Sequence, residues 1–265
     1  GDKVRGGVII GLGARLQVFQ NASICDITAQ DEFDLSRPGR KKCAFFCISS
    51  DQDSTFDFLS SLFFSFLFIK LVRYADAEGV DGKLPIGVNF VLDEFPNLGV
   101  INDFKKKIST VRSRNIGISV IFQNIAQLKN RYPNDEYLEI LGNCDTQIAL
   151  GCTDEVTARF ISNRTGEVTI DVNSQSKQLH AMRMTDYTPE YRETNSVGRR
   201  KLMTADEVLR MPLDEALIIL RGQNVFKVKK FDYTRHPESR KLKKCKAAAY
   251  IPDWRKEKED DSIVQ

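Results

Sequence analysis

Two apolar runs of strand length, at residues 87–92 and 118–122, and a third strand segment at 144–150 are separated by segments with helical periodicity. Runs without polar alternation suit parallel strands buried on both faces. The intervening helices supply the crossovers that parallel strands need. A shorter run at 42–48 ends in Ser-Ser-Asp and predicts one more strand opening into a loop; a long helix follows over 53–76, with Asp53 or Ser54 as its N-cap. The expected fold is α/β, a mainly parallel sheet flanked by helices. Ligands in such sheets sit beyond the carboxyl ends of the strands, which is where Asp93, Glu94 and Gln123 fall.

The rest of the chain reads less regularly. Residues 8–20 and 101–114 carry helical spacing, 115–117 reads as a turn, and 125–131 begins another helix. Asp154 can cap a helix over 155–164. Residues 166–200 are rich in Thr, Ser and Asn and predict extended hairpin segments with a mobile loop. Thr204 with Glu207 forms a capping box for a short helix, and 216–221 and 225–231 predict two further strands.

Composition excludes several classes. The 265 residues are 42% hydrophobic and 28% charged, with mean hydropathy −0.32, which excludes a disordered chain and argues against a polytopic membrane protein. The longest apolar stretch, 58–72, is shorter than the ~18–20 residues of a membrane span and meets Lys70 and Arg73, so a buried core helix is expected. No signal peptide pattern opens the sequence. The six cysteines form no CxxC pair and read as small core residues of a reducing compartment, Cys43, Cys47 and Cys144 in particular. His180 and His236 lack companions at metal spacing, so no zinc site is expected. Residues 227–246 hold nine Lys/Arg and two Asp/Glu, a local +7 in a chain of net charge +3, which leaves the remainder at −4. Such a segment reads either as a solvated tail or as a surface for nucleic acid or an acidic partner.

An apolar strand ending in Asp93-Glu94 has the Walker B form of phosphate-handling ATPases. The first carboxylate can hold Mg²⁺, usually through water, and the second can orient or deprotonate an attacking water. Gln123 ends the next strand at the same edge, where an amide can sense a phosphate or a water by hydrogen bonding. Arg112 and Arg114 stand on the intervening basic segment, and either offers the planar cation that suits a finger reaching a neighbour's phosphate. A P-loop requires GxxxxGK followed by Ser or Thr, and no such string occurs; the glycines of GGVIIGLGAR lack the Lys-Ser/Thr and open an apparent helix. Either the chain is not a nucleoside triphosphatase or it is a piece of one.

The run VNFVLDEFPNLGVINDFKKKISTVRSRNIGISVIFQNIAQLKNRY resembles the conjugative coupling proteins, the TraG/TraD-like ATPases of type IV secretion, with the variants of Gram-positive elements closest. LGNCDTQIALGC, GRKLMTADEVLRM and the opening VRGGVIIGLGARLQVF resemble the same family, so the likeness covers roughly 3–240. It implies a partial RecA-like P-loop NTPase core lacking the Walker A strand and loop. Residues 1–20 would end an inserted all-helical domain, 21–235 would form the C-terminal half of the nucleotide-binding domain, and 236–265 a charged tail. Carried over by position, Asp93 and Glu94 are the Walker B pair, Asp93 holding Mg²⁺ through water, Gln123 the glutamine after the next strand, and Arg112 the trans-acting finger of a ring-shaped homo-hexamer.

The implied cofactors are ATP and Mg²⁺, bound by the full-length protein, and this fragment alone is expected to be inactive. The implied role is ATP-driven export of relaxase-bound single-stranded DNA into a type IV secretion channel. The partners are then that DNA, the relaxase and the channel proteins. The implied location is the cytoplasmic face of the membrane, anchored by a segment outside this chain, the fragment itself being soluble. Lys105–Lys107 reads as a DNA-facing element or as a solvated face. The alternative class is a non-catalytic module in which the basic tail and the 166–200 segment recruit relaxase or channel proteins. A double-stranded DNA pump fits less well, because no winged-helix module follows.

Overall fold

The computed structural model describes residues 2–31, 33–50, 54–178 and 190–244. In order, the elements are α1 (Asp2–Leu16), α2 (Ala22–Thr28), α3 (Arg37–Arg40), α4 (Asp57–Glu78), β1 (Val88–Leu92), α5 (Phe104–Thr110), β2 (Ile116–Val120), α6 (Ile125–Arg131), α7 (Glu136–Gly142) and β3 (Thr146–Ala149). There follow α8 (Glu155–Thr165), β4 (Glu167–Gln178), β5 (Glu190–Lys201), α9 (Ala205–Leu209), β6 (Glu215–Leu220) and β7 (Phe226–Lys229). The α/β order expected from sequence is present. β1 and β2 pair in parallel, from Val88↔Ile116 to Leu92↔Val120. β3, β6 and β7 form an antiparallel sheet, and β4 and β5 pair over their full length as a separate hairpin.

The core sits on one face of β1 and β2. α4 buries Ser60, Phe64, Leu67, Phe68, Leu71 and Ala75, a spacing of three and four that marks a single stripe. Phe68 stacks on Phe90 of β1 with ring centroids 4.2 Å apart. Phe104 of α5 and Ile125 and Leu128 of α6 join the same cluster. α4 is also long and apolar enough to cross a membrane, with mean hydropathy 1.5. Its buried stripe makes it the core helix that the sequence predicts. The Tyr132 hydroxyl accepts the Ile101 N–H at 3.3 Å and its ring stacks on Phe95; burial pushes its phenol up to about 12. A smaller cluster of Ala158, Ile161, Val208 and Leu217 joins α8 and α9 to β6.

Four expectations need correction. Residues 42–50 form no strand: Phe46 and Ile48 are exposed, and no described strand pairs with them. A strand needs a neighbour to satisfy its backbone. β1 is not buried on both faces either; Val91 is 68% exposed while Phe90 and Leu92 are buried, because helices cover only one side. Ile116 and Gly117 belong to β2, and the turn is carried by Asn115 in the left-handed region, φ 62°. Cys43 and Cys47 are exposed, since the segment that would have buried them does not pair. Asp53, His180, Cys245, part of the 166–200 loop and the end of the charged tail lie outside the described residues.

Several local signals are borne out. Asp154 caps α8 by accepting the Thr157 N–H at 2.8 Å, and the Thr204–Glu207 capping box is present on α9. α7 was not legible in the periodicity. It is set apart from α6 by two consecutive left-handed residues, Asn134 and Asp135.

Candidate nucleotide and metal site

The parallel register puts the carboxyl ends of β1 and β2 side by side. The ladder continues past both strands: Ile121 N–H donates to Leu92 O at 3.0 Å, and Phe95 N–H to Ile121 O at 2.9 Å. The two residues between, Asp93 and Glu94, are therefore held in place rather than left on a free loop. Glu94 lies in the left-handed region, φ 47° and ψ 43°, an unfavourable conformation for a non-glycine residue that the surrounding bonds enforce. Its N–H donates to Asp93 Oδ1 at 3.1 Å.

The Gln123 Nε2 donates to Glu94 Oε1 at 3.1 Å, so the structure brings together Asp93, Glu94 and Gln123 of the residues singled out by sequence. The other carboxylate oxygen, Glu94 Oε2, is buried and has no hydrogen-bond partner among the described residues. A buried carboxylate oxygen without a donor is unfavourable, so this atom is poised to accept a proton donor such as water. Asp93 is exposed beside it. Two carboxylates, one open to solvent, form an all-oxygen donor set that fits a hard divalent cation.

The loop bearing this pair is tied down from α6. Arg131 Nε donates to Pro96 O at 2.6 Å, while its Nη2 reaches Asp57 Oδ2 of α4 at 3.3 Å. Gln127 Nε2 donates to Asn97 Oδ1 at 3.3 Å. Sequence reasoning missed these supports. The signal was available: Asn124, Gln127 and Arg131 recur at helical spacing as a polar stripe on an otherwise apolar-anchored helix. Gly99, at φ 79°, closes the same loop. A Cβ there would come 2.7 Å from Asp57 O, so only glycine fits.

Arg112 lies elsewhere. It precedes β2 in a 3₁₀ turn, so it stands at the amino end of the parallel pair, opposite Glu94. Five residues at ~3.3 Å each separate the two ends by about 15 Å. Its Nη1 donates to Asp145 Oδ2 at 3.1 Å, and Asp145 Oδ1 accepts Arg221 Nη1 at 3.3 Å. Arg114, the other candidate finger, is taken up in a two-toothed pair with Asp76 of α4, at 2.9 and 3.3 Å. Its role is to fasten α4 to β2. Asp145 lies inside the LGNCDTQIALGC stretch without having been singled out as a site residue, and Arg221 lies outside every quoted stretch.

The remaining cationic candidates are mostly engaged. Lys105 meets Glu136 and Glu139, and Lys107 donates to Asn102 O, with burial lowering its pKa. Lys227 and Lys229 of β7 pair with Glu215 and Asp214, which neutralises part of the +7 segment.

Comparison with known proteins places the chain. Residues 1–253 match the family of type IV secretory system conjugative DNA transfer proteins, and the chain belongs to that family. It is 24% identical to VirD4 of Rhizobium rhizogenes over 91% of its own length, and 32% identical to the conjugal transfer protein TraG of Escherichia coli over 52%. These stretches cover 34% and 22% of the two relatives, so the chain spans only about a third of the first and less of the second. Among solved structures it is similar to the bacterial conjugative coupling protein TrwB, with TM-score 0.49, 17% identity, and 68% of this chain and 38% of that one covered.

Proposed function

We propose that this chain carries the carboxylate half of the nucleotide site of an ATP-driven coupling protein. In that protein the phosphate-cradling half would come from sequence outside this chain. The supporting observation is the Glu94–Gln123 contact at the carboxyl edge of β1 and β2, with Glu94 Oε2 buried and unpartnered, in a member of the conjugative DNA transfer family. In this reading Asp93 would hold Mg²⁺ through water and the ion would offset phosphate charge. Glu94 orients an attacking water through Oε2, and Gln123 keeps that carboxylate from rotating away. Arg112, at the other end of the pair, serves the site of the next copy in a ring.

The same reading gives residues 1–20 to an all-helical domain, which fits the exposure of Val4, Val8, Ile9, Ile10, Leu12 and Leu16 along α1. Residues 21–235 are then part of a RecA-like core, and the free edges of β2 and β3 among the described residues leave room for strands supplied from elsewhere. The whole protein would move relaxase-bound single-stranded DNA to a secretion channel, as a homo-hexamer at the cytoplasmic membrane face. The competing adaptor reading needs free cations in the tail, and the pairing of Lys227 and Lys229 weakens it.

The test is ATP hydrolysis by the longer protein that includes this chain. Glu94→Gln should lower kcat by about 10²–10⁴-fold, the range for a positioned general base. A hydrolysis rate within twofold of native would contradict the assignment.

A further inference from the structure

We propose that Arg112 and Arg221, both held by Asp145, form a two-pronged cation site for the terminal phosphate of a nucleotide bound by a neighbouring copy, with Asp145 as the positioning residue. The proposal rests on the nucleotide reading above and extends it from one arginine to a pair. Asp145 precedes β3 and Arg221 follows β6, and the ladder of those strands fixes them against each other: Arg221 N–H donates to Asp145 O at 3.0 Å. Arg112 is anchored by its buried neighbour Val111, and Gly222, at φ 75°, turns the chain directly after Arg221. Together with Thr146, Leu220 and Gln223 these residues line an open depression of about 690 Å³.

The chemistry of the cluster suits an anion. Two guanidinium groups flank one carboxylate, leaving a net positive charge. The side chains of Arg112 and Arg221 are 82% and 80% exposed. Each turns Nη1 to Asp145, and its other nitrogens have no hydrogen-bond partner among the described residues. Exposed ion pairs contribute little to folding, so replacing either arginine should leave the fold intact. A guanidinium with N–H donors to spare can recognise phosphate in two-toothed fashion. The cluster stands at the end of the parallel pair opposite Glu94, out of reach of its own chain's site. A head-to-tail contact between copies brings such opposite edges together.

The experiment uses the longer protein with single variants and mixed oligomers. Arg221→Ala should lower kcat for ATP hydrolysis by about 10²–10³-fold, the range for loss of one preorganised donor, with KM changed less than roughly threefold. Arg221→Lys should recover little, because an ammonium lacks the fork. Should the alanine variant unfold, Arg221→Gln carries the test. Mixing Arg221→Ala subunits with Glu94→Gln subunits should restore about a quarter of the native rate at equal ratio, since one interface type in four is then intact. A purely structural arginine would not complement in this way.

The pair is overturned by native hydrolysis in Arg221→Ala. It is overturned equally if the Arg221 mixture stays inactive while a mixture of Arg112→Ala with Glu94→Gln recovers. Loss of single-stranded DNA affinity with unchanged hydrolysis would also overturn it, by assigning the cations to a DNA backbone. If neither Glu94→Gln nor Arg112→Ala slows hydrolysis, the nucleotide reading itself fails and the pair falls with it.

Discussion

Glu94 combines a left-handed backbone, a fixed amide contact and an unpartnered buried oxygen. Such a residue costs stability, and strain of this kind clusters at functional sites. Replacing it with glycine relieves about 1–2 kcal/mol of left-handed strain, partly offset by the ~0.5–1 kcal/mol entropy cost of glycine. Glu94→Gly should therefore be neutral or up to about 1 kcal/mol more stable in urea denaturation, while ATP hydrolysis by the longer protein carrying it should be lost. Arg131 acts beneath the site by joining Pro96 O to Asp57. Arg131→Ala leaves Asp57 without that partner and should destabilise by about 1–3 kcal/mol, measured the same way. Tyr132→Phe removes the acceptor of the buried Ile101 N–H, with an expected loss of about 1–2 kcal/mol.

At the scale of elements, caps and pairs decide where helices begin. The capping box of α9 places Glu207 against the Thr204 N–H at 2.8 Å and against Arg200 at 2.6 Å. The Arg200 hydrogen bond first, then the Thr204 N–H, hold its carboxyl at about 2, below the ordinary 4.5. The folded pKa is depressed, so the contribution to stability is complete above about pH 4.5 and disappears as pH falls toward 2. Urea midpoints across that window should fall more steeply for the native chain than for Glu207→Gln. α4 is the central packing element, and Leu71→Ala at a fully buried site should cost about 2–5 kcal/mol.

Across the whole molecule, what could be read from sequence depended on whether a feature was local. The convergence of Asp93, Glu94 and Gln123 was readable because consecutive parallel strands end at one edge, and each residue sits at a strand end. Arg112 precedes the next strand, and by the same logic belongs to the other edge. Its partners were not readable: Arg221 lies 76 residues from Asp145, and no short motif joins them. The 42–48 run illustrates the opposite limit. Its apolar pattern is that of a strand, but strand formation depends on a neighbour, and among the described residues none pairs with it. The free strand edges among the described residues and the exposed apolar residues of α1 fit the proposal that other parts of a longer protein cover them. The most direct measurement is equilibrium binding of Mg·ATP to this chain alone and to the longer protein containing it. The account predicts no saturable binding by the chain and tight binding by the longer protein. Saturable binding by the chain itself would contradict it, because the phosphate cradle would then have to lie within these residues.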